Sequence, residues 1–312
     1  MQPVRRAVID VGTNSIKLLV ADVSGRDVRP VHEESRQTRL GRGFYDTHRL
    51  QPESIACTAE AVWEFAQIAN EKSSDSIRVI ATSAARDAVN PRDLTSAIER
   101  ASDLKVEIIS GDREAEWAFQ GVTTDPELAK SPLLLLDVGG GSTEFILGRG
   151  DQKHFARSFP LGTVRLMEKF PHSDPPKRSE FDTGRDWLKD FLQSEVRPQL
   201  EPALRRENQS GKVLLVGTGG TTSILGRIEN QLERFDREGI EATRLSLKRI
   251  KSHRRRLWRL PLAERKEIVG LPKLRADVIL TGVLIYEAVM EEFGFKQLRI
   301  STRGLRFAAV MD

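Results

Sequence analysis

The chain predicts an α/β protein of two similar domains, each a mixed β-sheet flanked by helices. Three observations carry that expectation. The chain has 312 residues, more than one average domain holds, and two domains of roughly 150 residues are the natural division. Strand-type and helix-type patterns alternate along it. An apolar strand that ends in an aspartate and runs into a glycine-rich turn occurs twice, once as Ala7-Val8-Ile9-Asp10-Val11-Gly12-Thr13-Asn14-Ser15 and again as Leu133-Leu134-Leu135-Leu136-Asp137-Val138-Gly139-Gly140-Gly141-Ser142-Thr143-Glu144. The two aspartates lie 127 positions apart, the mark of a duplicated domain whose halves face each other across a phosphate.

Val4 to Val11, Ile16 to Val23 and Asp27 to Glu33 read as three strands, separated by Gly12-Thr13-Asn14 and Ser24-Gly25. Pro52-Glu53 opens a helix in which Ile55, Ala59, Val62, Phe65, Ala66 and Ala69 recur at helical spacing. Ile77 to Ala81 follows as a buried strand, then a small-residue turn with Arg86, a helix over Pro91 to Ser102 and a strand over Val106 to Ser110. A helix over Ala115 to Val122 opens at Gly111-Asp112, and the polar stretch Thr123 to Pro132 is the domain boundary, because the opening pattern restarts after it.

In the second half Leu133 to Asp137, Glu144 to Arg149 and Lys153 to Pro160 repeat the three strands. A proline-rich loop, Pro171 to Pro176, precedes an amphipathic helix carrying Phe181, Trp187, Leu188, Phe191 and Leu192. The apolar strand Val213 to Val216 runs into Gly217-Thr218-Gly219-Gly220, a third turn suited to an anion, and then a helix. The chain ends with a helix from about Arg275 to Phe293, a strand Leu298 to Ser301 and a last helix after Arg303-Gly304-Leu305-Arg306.

Composition excludes several classes. No apolar run approaches the roughly 20 residues that span a bilayer, and the few residues before Val4 leave no room for the apolar core of a signal peptide. Cys57 is the only cysteine, so no intrachain disulfide forms and a reducing cytoplasm is the expected location. The net charge of +4 is modest and does not point to nucleic acid as a partner. The positive excess is concentrated in Lys248 to Arg259, read either as a solvated helix face or as a surface that concentrates a polyanionic substrate or partner.

A phosphate held by backbone amides needs glycine, because side chains block close approach. Gly139, Gly140 and Gly141 meet that need, Ser142 and Thr143 add hydroxyls, and Asp137 and Glu144 are oxygen ligands suited to a hard cation, Mg²⁺ first. A P-loop requires a lysine and a hydroxyl residue directly after its last glycine, whereas Gly141 precedes Ser142-Thr143-Glu144. Both aspartate turns lead into strands, where a dinucleotide fingerprint leads into a helix.

These turns, with Arg39-Leu40-Gly41, Ala81-Thr82-Ser83-Ala84-Ala85-Arg86, Ile108-Ile109-Ser110-Gly111, Pro160-Leu161-Gly162, Gly217-Thr218-Gly219-Gly220, Arg275-Ala276-Asp277-Val278-Ile279 and Gly304-Leu305-Arg306, extend over nearly the whole chain. Together they make it resemble the exopolyphosphatase and guanosine pentaphosphate phosphohydrolase (Ppx/GppA) family, within the actin-like ATPase superfamily of acetate kinase, sugar kinases, Hsp70 and actin. The resemblance implies two actin-like (ribonuclease H-like) domains with an interdomain cleft, at 1–123 and 124–312, the last helix at about 303–312 packing back on the first. It implies hydrolysis of a terminal phosphoanhydride by water, with inorganic polyphosphate as substrate, guanosine pentaphosphate as the alternative, and a non-catalytic polyphosphate or alarmone sensor as a further one.

The resemblance makes Glu114 the general base and assigns a Mg²⁺ or Mn²⁺ ion to Asp137 and Glu144, with Asp10 as a further metal or water ligand. Phosphate oxygens fall to Gly12, Thr13, Asn14, Ser15, Gly139, Gly140, Gly141, Ser142 and Thr143, assisted by Lys17 and Arg86. Gly217, Thr218, Gly219 and Gly220 occupy the place where actin-like ATPases contact adenosine, and a homodimer is in keeping with the family. Arg86 has a competing reading as a helix-capping or salt-bridging residue, and Lys17 as a solvent-facing one. Around the base the chain departs from the family pattern of two glutamates, alanine and arginine, because it reads Arg113-Glu114-Ala115-Glu116.

Overall fold

The structure is a computed structural model and describes residues 2–312. The chain forms β1 (Val4–Val11), β2 (Ile16–Ser24), β3 (Asp27–Arg36), α1 (Pro52–Glu71), β4 (Ser76–Ala81), α2 (Ser83–Asp87), α3 (Pro91–Ser102), β5 (Val106–Ile108) and α4 (Gly111–Val122). Then come α5 (Pro126–Ala129), β6 (Leu133–Val138), β7 (Thr143–Arg149), β8 (Gln152–Phe159), α6 (Thr163–Lys169), α7 (Arg178–Phe191), a π-helical turn at Leu192–Val196, α8 (Arg197–Ser210), β9 (Leu214–Thr218) and α9 (Gly220–Glu229). The chain closes with α10 (Arg237–Ala242), β10 (Arg244–Ser246), α11 (Leu247–Arg259), α12 (Leu262–Arg265), a 3₁₀ turn at Lys273–Arg275, α13 (Ile279–Glu292), β11 (Gln297–Ile300) and α14 (Leu305–Ala309).

Two compact units result. The first contains the chain through Asp125 together with Arg303–Asp312, and the second contains Pro126–Thr302. In the first unit the sheet order is β3-β2-β1-β4-β5. β1, β2 and β3 run antiparallel as a meander, while β4 and β5 are parallel to β1 and are reached through helices. Period-two alternation sends Ala7, Ile9 and Val11 to one face, packed with Val62 and Phe65 of α1, and Val8 to the other, packed with Trp117 of α4 and Phe307 of α14.

The second unit repeats this plan. Its order is β10-β11-β9-β6-β7-β8, with β6, β7 and β8 as the antiparallel meander, β9 and β11 parallel, and β10 added at the edge. Both units therefore have the mixed sheet, flanked by helices, that the sequence predicts. β6 is buried along almost its whole length, which explains why it reads as a continuous leucine run instead of an alternating pattern.

Three local differences from the sequence reading bear on function. β5 stops at Ile108 because Ser110 turns to cap α4, its side chain accepting from the Arg113 amide at 3.2 Å. β9 continues through Gly217 to Thr218, which brings Thr218 level with Asp137. The helix expected from Arg275 begins at Ile279, after a 3₁₀ turn, leaving Arg275 outside the helix.

Candidate active site

The two aspartate turns are the same object built twice. The Gly12 amide donates to the Ser15 carbonyl at 3.1 Å, and the Gly139 amide donates to the Ser142 carbonyl at 2.9 Å. In both cases the turn joins adjacent antiparallel strands, with Val11 paired to Ile16 and Val138 paired to Thr143. The next pair inward differs in charge: Asp10 stands opposite Lys17, whereas Asp137 stands opposite Glu144.

In the second unit this register produces a row of oxygen-bearing side chains across four strands. Thr218 on β9 pairs with Asp137 on β6, Asp137 with Glu144 on β7, and Glu144 with Ser158 on β8. Directly opposed residues in a ladder share a face and stand about 5 Å apart, so the two carboxylates are neighbours. Glu144 is 1% exposed, and the Ser158 hydroxyl donates to its Oε1 at 2.7 Å. That bond fixes one carboxylate oxygen.

The glycine turn beside this row is held from behind. Thr163 and Val164 donate backbone N–H groups to the carbonyls of Gly139 and Gly140 at 2.9 and 2.8 Å, and Arg165 Nε donates to the Gly141 carbonyl at 2.8 Å. In a trans peptide the N–H points away from the carbonyl. With three carbonyls turned toward α6, the amides of Gly140, Gly141 and Ser142 face the opposite way, and none of them donates to another described residue. Such a run of unspent N–H groups is a nest for an anion. Gly162 allows the approach from behind, since a Cβ there would lie 2.3 Å from the Gly140 oxygen. Thr143 departs from its expected role: it is 0% exposed, and its hydroxyl donates to the Leu161 carbonyl, so that proton braces the turn and does not face a phosphate.

Gly217 to Gly220 belongs to the same wall of the second unit. Gly219 has φ +90° and sits so close to Asp137 that a Cβ would meet Oδ1 at 2.7 Å. The Arg275 guanidinium packs on Gly220, with Nη2 3.1 Å from the position of a Cβ. Behind them Tyr286 of α13 is buried, its hydroxyl 3.3 Å from the carbonyls of Leu136 and Thr218. Burial, reinforced by the Asp137 charge, raises the Tyr286 pKa well above its ordinary value, so the phenol stays neutral and fastens the ends of β6 and β9.

The donor set fits a hard divalent cation. Asp137 and Glu144 offer two carboxylates on one face, and Mg²⁺ is held by one or two carboxylates together with water and substrate phosphate oxygens. Among the described residues no group of three or more acidic, histidine or cysteine side chains is placed to hold a metal ion. Asp10 is differently placed, because Lys17 Nζ lies 3.9 Å from its Oδ2.

In the first unit Thr13, Asn14 and Ser15 are all buried at the turn. The loop Arg39-Leu40-Gly41 braces them, its Arg39 and Gly41 amides donating to the carbonyls of Asn14 and Thr13 at 3.1 and 2.7 Å. Asn14 is 6% exposed, yet its Nδ2 donates to no described residue. A buried amide donor without a partner costs about 1–3 kcal/mol, and a phosphate oxygen would satisfy it.

Glu114 lies in the first turn of α4, where Arg86 Nη1 donates to its Oε2 at 2.9 Å and to the Ile109 carbonyl at 3.2 Å. Arg86 is thus a salt-bridging residue, engaged with the expected base. The two unusual neighbours of Glu114 compensate one another. Arg113 pairs with Glu116 at 3.4 Å and with Asp312 at 2.8 Å, and its guanidinium lies over the Trp117 ring at 4.5 Å.

Ser158, Arg165 and Arg275 are the residues of this site that the sequence reading did not single out. Ser158 and Arg165 are marked only by strand register and by distance from the glycine turn, neither of which local pattern reveals. Arg275 stands in the Arg275-Ala276-Asp277 string already noted, but the sequence reading placed it at the start of a helix, whereas the helix begins at Ile279.

The Ppx/GppA phosphatase family profile matches residues 19–311. Exopolyphosphatase 2 of Mycobacterium tuberculosis is 35% identical over 95% of this chain and 94% of its own length, and Exopolyphosphatase 1 of the same organism is 27% identical over 98% and 87%. Among solved structures, an exopolyphosphatase from Cytophaga hutchinsonii superposes with a TM-score of 0.84 at 27% identity, covering 97% of this chain and 96% of that one. The Aquifex aeolicus Ppx/GppA enzyme superposes with a TM-score of 0.77 at 28% identity, covering 99% of both.

Proposed function

The chain belongs to the Ppx/GppA phosphatase family, and from that membership we propose that it is an exopolyphosphatase releasing terminal phosphate from inorganic polyphosphate. The observation that carries the proposal is the Asp137–Glu144 pair beside the amide nest of Gly139–Ser142. Two carboxylates opposed in one ladder suit a cation, and the amides suit the oxygens of a phosphoryl group, the two parts a phosphoryl-transfer site requires.

In this reading the amides of Gly140, Gly141 and Ser142 in the second unit are assigned to phosphate oxygens, and in the first unit Asn14 Nδ2, with Gly12, Thr13 and Ser15, is likewise assigned to phosphate oxygens. Glu114, oriented by Arg86, accepts a proton from the attacking water. The water oxygen forms the new P–O bond, the bridging P–O bond breaks, and the shortened polyphosphate leaves with the bonding electrons. Asp137 and Glu144 would hold a Mg²⁺ or Mn²⁺ ion, which would supply charge neutralisation for phosphate oxygens. Asp10, already facing Lys17, is assigned to water. Cys57 as the only cysteine supports a cytoplasmic setting, and among the described residues no helix is long and apolar enough to cross a membrane.

The test is phosphate release by the purified protein with Mg²⁺ and long-chain polyphosphate, run beside guanosine pentaphosphate and beside Glu114→Gln. The reading expects faster release from polyphosphate and a loss of about 10²–10⁴-fold in the variant. Release from guanosine pentaphosphate alone would transfer the activity to that substrate. Absence of release from both would overturn the hydrolase reading.

A further inference from the structure

Helix α11 divides its basic residues into two sets. Ser246 caps it by accepting from the Arg249 amide at 3.2 Å, and Ile250, His253 and Leu257 form its buried face. On the flanks each cation has an acidic partner on a neighbouring helix: Arg249 with Glu229 of α9 at 2.7 Å, Arg254 with Glu287 of α13 at 2.9 Å, and Lys251 with Glu291 of α13. These pairs fasten the helix to the body of the second unit.

Lys248, Arg255, Arg256 and Arg259 have no acidic partner among the described residues, and all four are exposed. With Ser252 they stand at helical spacing on one side of α11, a stripe about 16 Å long. Arg255, Arg256, Arg259, Ser252 and Leu260 line a groove of about 430 Å³. Arg255 and Arg259, one turn apart, repel each other by a few tenths of a kcal/mol in the free helix. A surface that needed only solubility would carry interspersed signs, as the flanks of α11 do once the acids of α9 and α13 are counted with them. An unpaired row of one sign is suited to a flexible polyanion, and guanidinium groups engage phosphate oxygens in pairs.

We propose that this stripe is a second binding site for the substrate, gripping a segment of long polyphosphate remote from the end being hydrolysed. The proposal rests on the exopolyphosphatase reading for its ligand. α13 links the two places in the fold, since Tyr286 reaches the ends of β6 and β9 while Glu287 holds Arg254 of α11. The site confers chain-length preference: long chains touch both places, and short ones touch only the catalytic turn. Simultaneous engagement raises apparent affinity through effective concentration, without altering the chemical step.

The test compares the wild type with the triple variants R255A/R256A/R259A and R255K/R256K/R259K. Binding of end-labelled long-chain polyphosphate is measured in EDTA by fluorescence anisotropy at several salt concentrations, and turnover of long-chain polyphosphate and of tripolyphosphate is measured with Mg²⁺. The alanine variant is expected to bind the long chain about tenfold more weakly, with a slope of log K against log salt shallower by about two. Its KM for long chains should rise while its tripolyphosphate turnover stays at the wild-type level, and the lysine variant should retain most of the binding. Wild-type affinity in the alanine variant would overturn the proposal, as would equal competition by single-stranded DNA, which would mark a general polyanion surface. Failure of the wild type to release phosphate would overturn the exopolyphosphatase reading, and the binding comparison in EDTA would still decide whether the stripe holds polyphosphate.

Discussion

Glu144 stands directly opposite Asp137 in the β6–β7 ladder, and at the equivalent place in the first unit the residue opposite Asp10 is Lys17. The duplication preserved geometry and changed charge. A lysine beside an aspartate neutralises it, while a second carboxylate creates a site that gains from a cation. Binding of Mn²⁺, followed by titration calorimetry, should therefore weaken by about tenfold or more in Asp137→Asn and in Glu144→Gln. Asp10→Asn should bind the metal as the wild type does. A loss in Asp10→Asn equal to that in the other two would contradict the assignment.

Arg86 and Glu114 form the ion pair on which the proposed proton transfer from water depends. The Arg86 guanidinium is anchored to the Ile109 carbonyl as well as to Glu114, so it fixes the carboxylate's direction. Glu114→Gln should lower kcat with KM little changed, because the lost proton acceptor acts only during the reaction. Arg86→Ala should also lower kcat, because the carboxylate loses the partner that fixes its direction. Unchanged kcat in Glu114→Gln would remove it from the chemistry.

Gly219 is a conformational and a steric requirement at once. Its φ of +90° strains any residue with a side chain, and a Cβ would press on Asp137 Oδ1. Gly219→Ala should cost about 1–3 kcal/mol of stability and reduce kcat/KM by displacing the carboxylate. Denaturant unfolding and steady-state rates measure both effects, and a fully active, fully stable variant would refute the close packing.

His253 gives stability a pH dependence. It is 5% exposed, and its Nε2 lies 2.7 Å from Glu229 Oε2. Burial lowers its pKa below 6.5 against the opposing pull of Glu229, with Arg249 and Arg256 adding to the lowering. The folded protein thus holds the neutral imidazole, and the unfolded chain binds the proton more readily. Stability from this group is present above pH 6.5 and is lost as pH falls through the lowered value in the folded state. Glu229, whose pKa is also lowered, adds a loss at more acidic pH. The thermal midpoint should fall as pH drops below about 6.5, and His253→Gln should flatten the first part of that fall. An unchanged profile in the variant would show that His253 does not contribute.

Much of this was legible because duplication writes itself into sequence. The 127-residue offset relates Asp10 to Asp137, Gly12 to Gly139, Ser15 to Ser142 and Lys17 to Glu144, and the structure returns those equivalences as one hydrogen bond and one ladder register made twice. The meander strands were legible through their alternation and turns. Ser158 was not, since its place beside Glu144 depends on the β7–β8 register, which includes a shift between Leu147 and Gly148. The pairing of Arg86 with Glu114 joins residues on α2 and α4 that are far apart in sequence. The brace from α6 was hidden for a similar reason, because it is made by backbone amides whose side chains carry no mark of it.

The account turns on whether Asp137 and Glu144 serve a metal-dependent release of phosphate. The most direct measurement is the Mg²⁺ dependence of phosphate release from long-chain polyphosphate by the wild type and by Glu144→Gln. The account predicts saturable activation of the wild type, and a variant that reaches at most a small fraction of that rate even at high Mg²⁺. Equal rates and equal Mg²⁺ dependence in the two proteins would contradict it.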